Sequence, residues 1–213
     1  MSLTIHFLRH GQTELSRENK FCGSGLDPGL TADGEAMAQA FTDAYRSRTW
    51  QAIYTSSLQR SIASAKPLCD ALSISANVCA DLNEIGYGKW EGLTKEQVDN
   101  LYHDDYMSWL ADPAWHAPTG GELAVEIARR GLRVIEEIER ENSDGNVLVV
   151  AHKGTIRIIL CSLLGIDVGR FRYRLGCPVG SLSIVEFSLT GPLLHTLADR
   201  SHLSESLRSL PGT

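Results

Sequence analysis

Leu3-Thr4-Ile5-His6-Phe7-Leu8-Arg9-His10-Gly11-Gln12-Thr13 is the stretch on which the reading turns. Its apolar and β-branched first half predicts a buried strand over Leu3–Leu8, and the strand runs directly into a guanidinium, an imidazole and a glycine. A second stretch repeats the design, because Val147-Leu148-Val149-Val150-Ala151 ends at His152-Lys153-Gly154-Thr155. Parallel strands bring their carboxyl ends to one edge, where α/β sheets bind ligands, so His10 and His152 can share a crevice although far apart in sequence.

The rest of the chain fits that frame. Further strands are expected at Ala52–Thr55, Ala76–Cys79, Leu182–Phe187 and, more weakly, Leu194–Leu197, with helices at Thr31–Arg48, Leu58–Leu72, Glu122–Glu141 and Thr155–Leu164. Strands alternating with helices predict a three-layer α/β/α sandwich around a mainly parallel sheet. The 213 residues suit one domain over 1–213, with a Trp-rich insertion covering the cleft at about 86–121 and a loosely held tail from Ser204 to Thr213.

Composition narrows the partners. The formal charge of −6 contains no Lys/Arg block, which argues against a nucleic-acid or membrane-surface partner and for a small molecule. Cys22, Cys69, Cys79, Cys161 and Cys177 form no CxxC pair, so neither a disulfide framework nor a zinc site is expected. With no basic leader and no long apolar run, the expected compartment is the cytoplasm.

Each chemical signal is weak alone. Arg9-His10-Gly11 reads either as a surface histidine beside an ion-pairing arginine or as an imidazole nucleophile with a guanidinium fork for phosphate oxygens and a glycine that lets the anion approach. His152 reads either as a hydrogen-bonded strand cap or as a second phosphate ligand. Arg60 follows Ser56-Ser57-Leu58-Gln59, where a serine is expected to cap the helix. A cation there opposes the macrodipole at a cost of ~0.3–1 kcal/mol, which is rational if both serve an anion. Glu84 and Glu91 lie in an aromatic, glycine-rich segment; one carboxyl can protonate a leaving alkoxide and then activate water, or both can be structural.

Taken in order, Leu8-Arg9-His10-Gly11-Gln12-Thr13, Ser56-Ser57-Leu58-Gln59-Arg60, Glu84 through Gly92 and Val150-Ala151-His152 resemble the motifs of the histidine phosphatase superfamily, the phosphoglycerate-mutase-like enzymes, over nearly the whole chain. The resemblance implies that His10 accepts a phosphoryl group and that Glu84 is the general acid and base. It further implies that Arg9, Arg60 and His152, with Ser16, Gly23 and Thr155, bind the phosphate and the substrate around it. Two guanidiniums and an imidazole would meet the charge on the phosphoryl oxygens, so no metal and no cofactor are expected. The resemblance also leaves room for a homodimer.

Three departures qualify it. Leu15-Ser16 stands where the family often has Trp-Asn, Lys153 stands where many relatives have glycine, and the loop from Cys22 to Leu30 is one residue longer than usual. Lys153 either meets an acidic substrate or snorkels to water; the solvated position is the one expected of a lysine. The step of 68 positions from Glu84 to His152 resembles the shorter insertion of the family's phosphatases, so hydrolysis is expected over cofactor-dependent phosphoglycerate mutation or non-catalytic phospho-ligand binding. Phosphoserine has a small extra claim through Leu163-Leu164-Gly165-Ile166-Asp167 and Gly176-Cys177; sugar phosphates, phosphoglycerate derivatives and α-ribazole phosphate stay open. Gly23-Ser24-Gly25 neither follows a predicted strand nor opens a helix, unlike a dinucleotide fingerprint.

Overall fold

The structure, a computed structural model, describes residues 2–212. The two end residues of the 1–213 reading lie outside the described residues.

Six strands form one sheet in the order β3-β2-β4-β1-β5-β6. They are β1 (Leu3–Arg9), β2 (Ala52–Thr55), β3 (Asn77–Val78), β4 (Gly145–Ala151), β5 (Leu182–Ser188) and β6 (Gly191–Asp199). Strands β1 to β4 run parallel, while β5 and β6 add an antiparallel edge. The helices are α1 (Glu14–Arg17), α2 (Ala32–Tyr45), α3 (Gln59–Leu72), α4 (Lys95–Leu101), α5 (His103–Ala111), α6 (Ala124–Glu141), α7 (Lys153–Leu163), α8 (Phe171–Arg174) and α9 (Glu205–Arg208). None of them is long and apolar enough to cross a membrane.

Strand alternation divides the core into two layers. Leu3, Ile5 and Phe7 of β1 join Val147, Val149 and Ala151 of β4 against Ile127, Ile135 and Ile138 of α6 and Ile156 and Ile159 of α7. On the other face Leu8, Leu148, Val150 and Ile53 meet Phe41 of α2 and Ala65 and Leu68 of α3. The result is the three-layer α/β/α sandwich. Each isoleucine removed from water here contributes roughly 1.5–3 kcal/mol. His6 points toward the second layer, its ring centroid 4.9 Å from that of Trp50.

Central strands β1 and β4 pair from Leu3↔Gly145 to Arg9↔Ala151, and the His10 amide extends the ladder to the Ala151 carbonyl at 3.1 Å. The helices that follow them, α2 and α7, pack on opposite faces of the sheet, which opens a crevice between the two strand ends.

Several boundaries differ from expectation for identifiable reasons. Helix α7 begins at Lys153, two residues early, because the Gly154 and Thr155 amides find an acceptor in Glu84. The long helix starts at Ala124, since the Glu122 carboxylate accepts from the Gly86 amide and Arg130. Strand β3 shrinks to two exposed residues, while β6 extends to nine. The tail is docked: Leu203, Leu207 and Leu210 pack with Met37 and Val179, and Gln12 donates to the Pro211 carbonyl at 2.7 Å. In the segment after Glu84, α4 and α5 surround an apolar cluster of Trp90, Val98, Tyr106 and Trp109, with Trp115 left exposed.

Candidate active site

A cavity of about 310 Å³ opens at the carboxyl ends of β1 and β4, lined by Arg9, His10, Glu84 and Lys153 among others. His10 sits at its floor and is nearly buried. Its Nδ1 lies 2.7 Å from the Gly11 carbonyl; a carbonyl only accepts, so Nδ1 carries the proton and Nε2 presents a lone pair. Burial, reinforced by the Arg60 and Arg9 guanidiniums, holds the ring well below the ordinary 6.5, against the pull of the Gly11 carbonyl. The imidazole is neutral at physiological pH.

His152 lies beside it, ring centroids 5.0 Å apart. Its Nε2 is 2.6 Å from Ser56 Oγ, which also accepts from the Leu58 amide. The Ser56 oxygen has a second lone pair, so this bond runs in either direction with the tautomer; when the hydroxyl donates to Nε2, the proton of neutral His152 is on Nδ1, a buried nitrogen with no protein partner. Burial, Arg60, His10 and Arg9 together keep this ring well below its usual value too.

The two arginines are held differently. Arg9 Nη1 donates to the Cys177 carbonyl at 2.7 Å, and its buried Nε has no partner. Burial lowers it to about 10, so it remains cationic at neutral pH. Arg60 does not line the cavity. It is wholly buried, with Nη1 donating to the Leu26 carbonyl at 2.9 Å and Nη2 to the Gly23 carbonyl at 3.0 Å. Its helix is capped not by a serine but by Asp27, whose carboxylate accepts the Gln59 amide at 2.9 Å and lies 3.5 Å from Arg60. The longer loop from Cys22 to Leu30 thus clamps the second arginine with main-chain carbonyls.

Glu84 is buried and wrapped in donors. Oε1 accepts from the Ile85 amide at 3.0 Å and from the Thr155 amide at 3.1 Å, while Oε2 accepts from the Gly154 amide at 3.0 Å. The amino-terminal turn of α7 therefore fixes the carboxylate at the cavity wall.

The other expected residues hold the frame. Ser16 lines the cavity, but its hydroxyl donates to the Thr13 carbonyl and accepts the Thr13 amide, each at 2.9 Å, to close the α1 capping box. Gly23 does not line the cavity; a Cβ there would stand 2.3 Å from Glu91 Oε1. Thr155 lies behind Glu84 and also donates to the Asn83 carbonyl at 2.7 Å. Gly11 owes its identity to packing rather than to an anion, since a Cβ would lie 2.4 Å from the Gly34 carbonyl oxygen. Glu91 holds the loop by accepting the Gly25 and Tyr87 amides.

Lys153 is half-buried and lines the cavity wall. Burial, with Arg9 and Arg157 beside it, pulls its ammonium from 10.5 to about 7. Lys20, Lys95, Arg157, Arg172, Tyr87 and Trp109 also line the cavity and were not singled out from the sequence. Arg157 was findable, because it is four residues after Lys153 on one helix and shares its face. Arg172 comes from α8, and no local pattern joins it to the motifs.

Comparison with known proteins gives the chain's family. The family model described as histidine phosphatase superfamily (branch 1) matches residues 5–200. The chain is 27% identical over 198 residues to phosphoserine phosphatase 1 of Hydrogenobacter thermophilus, covering 93% of each. It is 33% identical to glucosyl-3-phosphoglycerate phosphatase of Mycolicibacterium vanbaalenii, covering 90% of this chain and 84% of that one. Mycobacterium tuberculosis relatives 36% identical over 86% of this chain are longer, and the chain spans 50% of their length. A solved mycobacterial glucosyl-3-phosphoglycerate phosphatase superposes with a TM-score of 0.85 at 26% identity, covering 94% of this chain and all of that one. The chain belongs to the histidine phosphatase superfamily, branch 1.

Proposed function

We propose that the protein is a phosphatase that hydrolyses a small phosphomonoester through a phosphohistidine on His10. One observation carries this reading: a neutral imidazole at the cavity floor, its Nδ1 proton tied to the Gly11 carbonyl and Nε2 free, with Arg9 and His152 alongside. Nε2 attacks phosphorus in line while the ester C–O–P bond breaks on the oxygen–phosphorus side. Protonated Glu84 gives its proton to the departing alkoxide and, as carboxylate, takes one from the water that attacks the phosphohistidine. Inorganic phosphate leaves and His10 returns to its neutral form. Arg9 and the His152 Nδ1–H meet the equatorial oxygens, and Arg60 adds its field from behind the floor. No metal or cofactor enters this reading.

The named phosphatases among the relatives favour water over a second phosphoglycerate hydroxyl as acceptor, as does the short segment between Glu84 and His152. The direct test is His10→Ala, which is expected to abolish both phosphate release from p-nitrophenyl phosphate and the acid-labile phosphoenzyme. Retained turnover refutes the mechanism. Interconversion of 2- and 3-phosphoglycerate by the wild-type protein, faster than phosphate release, would make it a mutase.

A further inference from the structure

The cavity is lined by six basic side chains, Arg9, Lys20, Lys95, Lys153, Arg157 and Arg172, against a single acidic one, Glu84, in a chain whose formal charge is −6. Lys20 is paired with Glu18 at 2.7 Å. Among the described residues the other five have no carboxylate within ion-pair distance.

Several of these cations are held by neutral groups. The Arg172 guanidinium lies 3.9 Å from the Trp109 ring centroid, and that of Arg157 lies 4.9 Å from the Phe171 ring centroid. Arg157 Nε donates to the Lys153 carbonyl at 3.1 Å, and Nη1 to the Arg172 carbonyl at 3.4 Å. Aromatic faces and carbonyls orient the cations without cancelling their charge. Like charges at close range repel, so the arrangement gains most from an anion placed among them.

A phosphomonoester brings about two negative charges at neutral pH. Arg9 and the neutral histidines at the floor take these, and Arg60 supports them from behind. Lys153, Arg157, Arg172 and Lys95 are left over. We propose that they form a second anion subsite, so that the preferred substrate carries a carboxylate or a second phosphate beside the phosphate that is cleaved. This rests on the phosphatase reading for which end is cleaved, but recognition of two anions is measurable without turnover. The cavity is at the small end of ligand sites, which fits a compact metabolite more than an oligomer.

The test is binding of glycerate 3-phosphate, glycerol 3-phosphate, fructose 6-phosphate and fructose 1,6-bisphosphate to the His10→Ala protein, by isothermal titration. The first pair differs by a carboxylate and the second by a phosphate. At least one doubly anionic ligand is expected to bind tenfold or more tightly than its partner. The pair that shows the preference tells whether the subsite takes carboxylate or phosphate. Lys153→Met and, separately, Arg172→Met in the same background are expected to shrink the preference below threefold. Two positions on different helices guard against the misfolding of one variant. Equal affinity within both pairs, or a preference that survives both substitutions in folded proteins, overturns the subsite. Absent hydrolysis by wild-type protein with the preference intact would instead overturn the phosphatase reading and leave the subsite standing.

Discussion

Gly154→Ala is expected to disable proton transfer while sparing the phosphoryl-binding floor. A Cβ at this position would stand 2.6 Å from Glu84 Oε1, 2.7 Å from Ile85 Cδ1 and 2.9 Å from Ile85 Cγ1. Ordinary van der Waals contact begins at 3.4 Å, so the carboxylate must retreat by about 0.8 Å. That movement stretches the 3.0 Å bond from the Gly154 amide beyond hydrogen-bonding range. A misplacement of about 1 Å in a reacting group lowers rates by roughly a hundredfold. The expected loss in kcat/KM is therefore ten- to a hundredfold on alkyl phosphates, whose alkoxide must be protonated as it leaves. With p-nitrophenyl phosphate, whose phenolate departs unaided, the loss is expected to be under about threefold, since only the general-acid contribution is removed. The fold survives: losing one hydrogen bond to a charged group costs about 1.5–3 kcal/mol, partly offset by alanine's better helix propensity. Steady-state kinetics on the two substrate types, with unfolding midpoints as control, decide the matter. Equal slowing of both refutes the assignment of Glu84 as proton donor.

Two further outcomes follow from the histidines. Ser56→Ala removes the partner of His152 Nε2 and frees the tautomer, so affinity for inorganic phosphate should weaken about tenfold, the equivalent of one buried hydrogen bond; unchanged affinity dismisses the orienting role. His6 is brought from 6.5 to about 4 chiefly by burial, against its bond to Asn146, so the unfolded chain takes up the proton first, and stability is full above about pH 6.5 and falls as pH drops toward 4. Between pH 7 and 5 this one group removes about 2 kcal/mol. His10 and His152 add losses of the same sign. Urea unfolding at the two pH values should show His6→Gln losing about 2 kcal/mol less than wild type, and an equal loss refutes the account.

What was legible in the sequence was what is local. The strands ending at Arg9 and Ala151 carry their own apolar, β-branched runs, and the residue after each strand has little freedom about which edge of the sheet it joins. That places His10 and His152 together without any knowledge of the loops. The docked tail also had a local signal, since Leu203, Leu207 and Leu210 recur at helical spacing, but its polar composition drew the reading toward a loose end. The clamp on Arg60 had no such signal, because Gly23 and Leu26 contribute carbonyls that every residue type possesses. Lys153 shows the limit most clearly. Surface statistics send a lysine to water, yet α7 begins at this residue, and its first turn must face Glu84 for the Gly154 and Thr155 amides to find their acceptor. The hydrogen bonds that fix the carboxylate thus also bring the Lys153 amine into the cavity, so Glu84 and the added basic group are placed by one helix start. Substitutions at Lys153 and Gly154 should for that reason be non-additive, whereas Arg172, held from another helix by Trp109, should combine additively with Gly154→Ala.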